Sequence, residues 1–297
     1  MTPVLTGAPA SSERPFSLPW VTIGWVSVLL GLCYAPVLYR LVQQWGYDPD
    51  MGHGFFVPVC AGYIAWQKRG QLNGVAAKAN WWGLAIMIWG ALQLYIGTLG
   101  AEIFLARTSL VVSIIGAVLL IGGTQYLRIF GFPLFLLFFM VPIPAIIYNQ
   151  ITFPLQLLAS RVAEDSIDFL QIPVIREGNV LELANQKLNV VEACSGIRSL
   201  LTLTFLSLVY GYFFENRTWV RVVLFLSTIP IAIVANAGRV TITGVVAQYK
   251  PEYAEGLAHE AEGWVIFMVA LVILIAFHQL IIRTYNVTHR PGSRRMA

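Results

Sequence analysis

Apolar residues run along this chain in long continuous blocks separated by short polar ones. Eight such blocks stand out, at residues 20–39, 54–67, 81–98, 103–123, 129–146, 195–214, 222–249 and 263–282. Crossing the hydrocarbon core of a bilayer takes roughly 20 apolar residues as a helix. A backbone in lipid must satisfy its own hydrogen bonds, so continuous apolar blocks there mean helices. The pattern predicts an all-α, polytopic membrane bundle of about eight transmembrane helices. The block at 54–67 is short and is expected to dip into the membrane. The block at 222–249 is long enough to tilt or to protrude. Trp20, Trp45, Trp66, Trp81, Trp82, Trp219 and Trp264 fall near block ends, as an interfacial aromatic belt requires.

Between the fifth and sixth blocks lies the one long connector, residues 147–194. Its first half, Phe153 to Leu170, is amphipathic and suited to a membrane surface. Residues 174–183 then read as strand, turn and strand, and Lys187 to Val191 as a further β-rich run, so a small β-like unit is expected in this connector. The organisation predicted is a cytoplasmic N-terminal tail at 1–19, a transmembrane domain at 20–282 and a basic cytoplasmic tail at 283–297. The first apolar block is long, with no small-residue cleavage site behind it, and is read as a retained helix rather than a cleaved signal.

Composition agrees with this class. Hydrophobic residues make up 57% and charged residues 11% of the chain, and mean hydropathy is +0.70, whereas a soluble domain is about a quarter charged. The net charge is +4, but the basic residues are scattered over short loops, so they indicate orientation rather than nucleic-acid binding. With the N-terminus in the cytoplasm, eleven Lys and Arg fall on inside segments, among them Lys68, Arg69, Lys78, Arg128, Arg217 and Arg221. Only Arg40, Arg161, Arg176, Lys187 and Lys250 fall outside. That bias obeys the positive-inside rule. It puts His53, Glu102, the end of the connector, the end of the seventh block and the loop after it on the outer face.

Three cysteines are present, Cys33, Cys60 and Cys194, with no CxxC pair and no His spaced for zinc. Neither a disulfide framework nor a metal or organic cofactor is implied. Cys33 and Cys60 sit in apolar helices, where a thiol behaves as a small hydrophobe. Cys194 differs, because it stands where the polar connector meets an apolar helix. A helix N-terminus favours the thiolate, and Arg198 follows one turn later. Arg239 lies in an apolar helix with Asn236 one turn earlier. An arginine there is costly and is normally retained for a partner or a substrate, and its fork suits an oxyanion or a carboxylate. His259 follows in the next loop and is a natural proton carrier near neutral pH. Each has a plainer reading: a buried packing cysteine, an arginine snorkelling to the interface, a solvated loop histidine. Arg107, in a span with no motif around it, is expected in a structural ion pair. His278, mid-span, is given no role.

The stretches Glu192-Ala193-Cys194-Ser195-Gly196-Ile197-Arg198-Ser199 and Asn236 to Val240, together with His259, resemble the exosortase/archaeosortase family. Asp50-Met51-Gly52-His53-Gly54-Phe55-Phe56-Val57-Pro58 is similar to that family's D-Y-S-H-G-F-x-V-P pattern, with Met51 and Gly52 in place of Tyr-Ser. Phe132-Pro133-Leu134 through Pro142-Ile143-Pro144 fits its proline-punctuated helix. The likeness runs from about residue 45 to 265. It implies a membrane cysteine transpeptidase that processes exported proteins carrying a C-terminal sorting signal of the PEP-CTERM type: a short motif, an apolar helix and a basic tail. By motif match the catalytic Cys, Arg and His fall on Cys194, Arg239 and His259. Arg198, Asn236, His53 and Glu192 are expected to support the site or contact substrate. The expected location is the cytoplasmic membrane, with the site on the outer face. Two rivals stay open: an acyltransferase for exported polysaccharide or lipid with no covalent Cys intermediate, and a non-enzymatic assembly subunit.

Overall fold

The computed structural model describes residues 20–72, 75, 77–184, 187–189, 197–249 and 257–288, with residues 197 and 257–260 described by their backbone alone. Among these are eight α-helices: α1 (Trp20–Tyr47), α2 (Phe56–Lys68), α3 (Trp82–Leu99), α4 (Ile103–Leu136), α5 (Ala145–Phe169), α6 (Ile197–Phe214), α7 (Thr218–Tyr249) and α8 (Leu257–Thr288). A three-stranded antiparallel sheet is formed by β1 (Val174–Glu177), β2 (Val180–Leu183) and β3 (Lys187–Asn189), in the order β1-β2-β3. This is the all-α membrane bundle with a small β connector that the hydropathy pattern predicts. Five stretches are long and apolar enough to cross a membrane: α1, α3, Ile103–Met140, α7 and Ala261–Thr288. α2 and the apolar part of α6 are shorter.

Helices and apolar blocks do not correspond one to one. The blocks at 103–123 and 129–146 are two arms of α4, which is broken at Gly123 (φ 74°, ψ −168°). Only glycine adopts that conformation cheaply, and a Cβ there would also lie 2.3 Å from the Lys78 carbonyl oxygen. The second arm continues as a 3-10 turn and stops at Met140 rather than 146, just before Pro142 and Pro144, which the helix could not accommodate. The amphipathic connector helix α5 starts at Ala145, earlier than the polarity pattern placed it.

The chain forms two compact units. The first comprises residues up to 41 and 57–141. Its centre is the α3–α4 hairpin, where Gly83, Gly90 and Gly97, seven residues apart, meet Gly116, Ser113 and Ala106 on α4 so closely that a Cβ at any of the three would clash. Lipid is as apolar as leucine, so helices in it are held by close backbone packing between small residues. Tyr34 on α1 adds a polar link, bonding the Ser109 carbonyl (3.1 Å) and the Ser113 hydroxyl (2.8 Å). Arg107 is buried on α4. The ion pair expected of it is absent: among the described residues no acidic group is within reach.

The second unit comprises residues 42–56 and 142 onward. Here α5 buries Ala159, Ala163 and Ile167 against Leu181, Leu183 and Leu188 of the sheet and Ala237, Val240 and Ala247 of α7. The strands alternate inward and outward, as the period of two requires, with Val174 opposite Leu183 and Glu177 opposite Val180 across the Gly178 turn. Arg176 fastens β1 to α5 through Glu164 at 2.6 Å. A second core joins Leu203 of α6, Leu224 and Ala232 of α7, and Ala270 and Leu274 of α8. α7 thus serves two cores along its length.

Candidate active site

Three elements of the second unit carry the candidate residues. The first is the segment after α1. Asp48 caps a 3-10 helix over Pro49–Phe55, accepting from the Asp50 N–H at 3.0 Å, with Pro49 opening the helix. A proline there forfeits a hydrogen bond the helix would not have made. Asp50 then receives two donors from far along the chain: Arg198 Nε at 2.8 Å and the Tyr148 hydroxyl. His53, on the same short helix, is buried. Its Nδ1 makes a long 3.5 Å contact with Thr202 Oγ1, and its ring lies 6.3 Å from that of Phe205. Arg198, Thr202 and Phe205 are spaced to share one face of α6. The segment bearing Asp50 and His53 is therefore docked on the opening turns of α6. Cys194 and Glu192 precede that helix and lie outside the described residues.

The second element is the far half of α7. Asn236 is buried one turn before Arg239. The Arg239 guanidinium lies flat against Gly263 of α8, where an added Cβ would sit 3.1 Å from Cζ and 3.2 Å from both terminal nitrogens. One turn further on, Thr243 Oγ1 donates to the Glu262 carboxylate, at 3.0 Å from each oxygen. The third element is the start of α8. Position 259 falls in its first turn, four residues before Gly263. On a helix that spacing is one turn on one face, about 6 Å along the axis. Arg239 is thus brought to the turn of α8 that follows the candidate histidine, while Arg198 and His53 are brought together with Asp50.

A separate polar cluster lies at the other end of α7. Glu215, in the turn between α6 and α7, accepts from His278 Nε2 at 3.2 Å and from the Arg217 N–H at 2.7 Å. His278 Nδ1 meets the Tyr210 hydroxyl at 2.8 Å. Burial pushes the Glu215 carboxyl up, but hydrogen bonds from the Arg217 N–H, His278 and the Asn216 N–H, with the Arg217 charge, outweigh it and hold the group below its ordinary range. An ionised carboxylate only accepts, so Nε2 carries the proton, and in the neutral ring Nδ1 accepts from Tyr210. A cavity of about 350 Å³ opens beside it, lined by Glu215, Arg217, His278 and Gln279.

Comparison with protein-family models matches residues 45–276 to the transmembrane exosortase. The chain belongs to the transmembrane exosortase family. No curated protein and no solved structure matches it. Family membership and the long apolar helices make this exosortase a multi-pass membrane protein. Several pairings in the exosortase fold are not legible in the sequence: Asp50 as the acceptor for Arg198 and Tyr148, Thr243 as the donor to Glu262, and the Glu215–His278 pair. Asp50 lies within the motif that singled out His53 and was legible as a carboxylate there. The others carry no local signal, since their partners are remote in sequence.

Proposed function

We propose that this exosortase is a cysteine transpeptidase that cleaves C-terminal sorting signals of exported proteins and passes them to an acceptor. The reading rests on family membership and on one observation: the Arg239 guanidinium lies against Gly263, one turn beyond position 259. An arginine fork and a histidine position on facing helices supply charge stabilisation and a proton carrier. Cys194, which precedes α6 in the sequence, supplies the nucleophile. Those are the parts acyl transfer needs.

In the proposed reaction the Cys194 thiolate attacks the scissile carbonyl carbon, and its oxygen takes up the negative charge. Arg239 stabilises that oxyanion. The intermediate collapses by breaking the C–N bond, and His259 gives a proton to the departing amine, leaving a thioester on Cys194. An acceptor nucleophile loses its proton to His259, attacks the thioester and releases the thiolate. Arg198 is a positioning residue: its pairing with Asp50 fixes the opening turn of α6. His53 and Asn236 shape the surroundings, and Glu192 is assigned to substrate contact. The proposed setting is the cytoplasmic membrane with both termini inside and the site on the outer face. The substrate would be a membrane-anchored protein with a motif, an apolar helix and a basic tail.

The test is mass spectrometry of the purified full-length enzyme after exposure to a substrate protein bearing such a signal. The expected result is a substrate fragment on Cys194, with full-length substrate accumulating in Cys194→Ala. Processing that continues in Cys194→Ala overturns the reading and favours an acyl transfer without a covalent cysteine.

A further inference from the structure

Helix α8 is fixed to α7 in two different ways along its length. Among the described residues, the apolar core that the two share with α6 runs on α8 from Phe267 to Ile281 and on α7 from Val220 to Ala235. Beyond Ala235 the buried apolar side chains of α7, Ala237, Val240 and Ala247, pack instead with α5 and the sheet. The opening turns of α8, which carry position 259, therefore lie past the end of the shared core. There the helices meet through Arg239, whose guanidinium lies against Gly263, and through Thr243. Its Oγ1 donates to the Glu262 carboxylate, at 3.0 Å from each oxygen. Thr243 follows Arg239 by one turn on the same face of α7, and position 259 stands one turn before Glu262 on α8.

Thr243 is fully buried, so its hydroxyl needs an acceptor. Other helical threonines find one on their own helix: Thr241 donates to the Ala237 carbonyl, Thr284 to that of Leu280 and Thr108 to that of Phe104. Each carbonyl is one turn back, the usual local partner of a helical hydroxyl. Thr243 reaches across to another helix instead, to a residue 19 positions on. Its partner is a carboxylate at the end of a membrane span, a costly group to place there. A hydrogen bond to an ionised acceptor is about twice as strong as a neutral one, and this one is centred on both oxygens. Without it, the first turns of α8 would be free to slide or tilt on α7, carrying Gly263 off the guanidinium and position 259 with it. We propose that Thr243 and Glu262 are positioning residues: their hydrogen bond sets the opening turns of α8, and with them position 259, at a fixed register against Arg239. The role rests on the transpeptidase reading and adds two residues to it.

The experiment uses full-length protein in a non-ionic detergent and a membrane-anchored substrate protein ending in a motif, an apolar helix and a basic tail. It reads kcat and KM for processing, the unfolding midpoint, and substrate attached to Cys194 by mass spectrometry. T243V keeps the shape of the side chain and removes the hydroxyl. It should lower kcat about tenfold with KM unchanged, because a misaimed group costs transition-state binding. T243S, which keeps the hydroxyl, should recover most of that loss. E262L removes the acceptor and should match T243V. The double variant T243V/E262L should be no slower than either single one, because both break the same bond. A lower unfolding midpoint with unchanged kcat per folded molecule makes the pair merely structural and overturns the proposal. So do losses that multiply in the double variant, or a T243S no faster than T243V. Those outcomes leave the transpeptidase reading standing as long as the parent carries substrate on Cys194. A parent that processes substrate without that adduct overturns both.

Discussion

The two ends of α7 hold polar residues in opposite ways. At its beginning, Glu215 and His278 are 6% and 4% exposed, and each is engaged by neighbours in the same unit: Tyr210, the Arg217 and Asn216 N–H groups, and each other. Arg221 closes the turn by donating to the Glu215 carbonyl at 2.7 Å. Some 20 residues on, the Arg239 guanidinium lies with its plane against α8 at Gly263. A network whose donors and acceptors answer one another stabilises the fold and has little left for a substrate. A cation laid on a glycine surface keeps its planar face close to a helix turn, here the turn of α8 that follows position 259. The first end is read as structure, the second as chemistry.

The sharpest way to break that contrast is to remove each end in turn. Arg239→Ala should lower processing of a sorting-signal substrate by about 10²–10³-fold, the usual cost of one oxyanion donor, with little change in unfolding midpoint. Arg239→Lys should not restore it if the planar fork matters. At the other end, His278→Ala leaves the buried Glu215 carboxylate short of a donor. It should destabilise the fold by about 1–3 kcal/mol, while turnover per folded molecule stays near the parent value. Denaturation and a processing assay on the same preparations decide both. Activity lost in His278→Ala at unchanged stability would exchange the two assignments.

Gly263→Ala sharpens the comparison from the α8 side. The added Cβ meets the guanidinium at 3.1–3.2 Å, tight enough to displace it by a few tenths of an ångström. Alanine is also the better helix former, by up to about 1 kcal/mol. The expected variant is no less stable than the parent but slower, by about tenfold or less, since a larger misplacement costs about 10²-fold. Equal turnover in parent and variant would show that the contact with Gly263 does not aim Arg239.

The smallest effect is on pH dependence. The folded Glu215 carboxyl is held below its ordinary range. Its contribution to stability is therefore complete above the unfolded value of about 4.3 and is lost as pH falls through the lower folded value. Unfolding midpoints of the parent and Glu215→Gln should differ most near neutrality and converge below about pH 4. A gap that persists into acid would mean that the carboxylate charge is not what holds this end together.

How much could be read in advance follows from how far each signal reaches along the chain. The helices, the β connector and Gly123 as the break between two apolar blocks are local matters of period, length and backbone freedom. The seven-residue spacing of Gly83, Gly90 and Gly97 was equally local and points to the α3–α4 seam. Asp50 and Arg198 lie 148 residues apart and Glu215 and His278 lie 63 apart, and no pattern in either neighbourhood names its partner. His278 looked idle mid-span because its acid sits in a different turn. Arg107 looked like half of an ion pair, yet among the described residues no acid pairs with it.

By itself the sequence determined the class of this protein: a helical membrane bundle of the exosortase family, with a cysteine motif at the start of a helix. Hydrophobic runs need no partner to declare themselves, because the bilayer acts on every residue alike. The tertiary structure alone decided which polar groups meet. It set Arg239 against α8, tied Arg198 to Asp50 and closed Glu215 on His278. Pairing between side chains depends on distances across helices, and those are fixed only when small residues and packed cores bring the helices together.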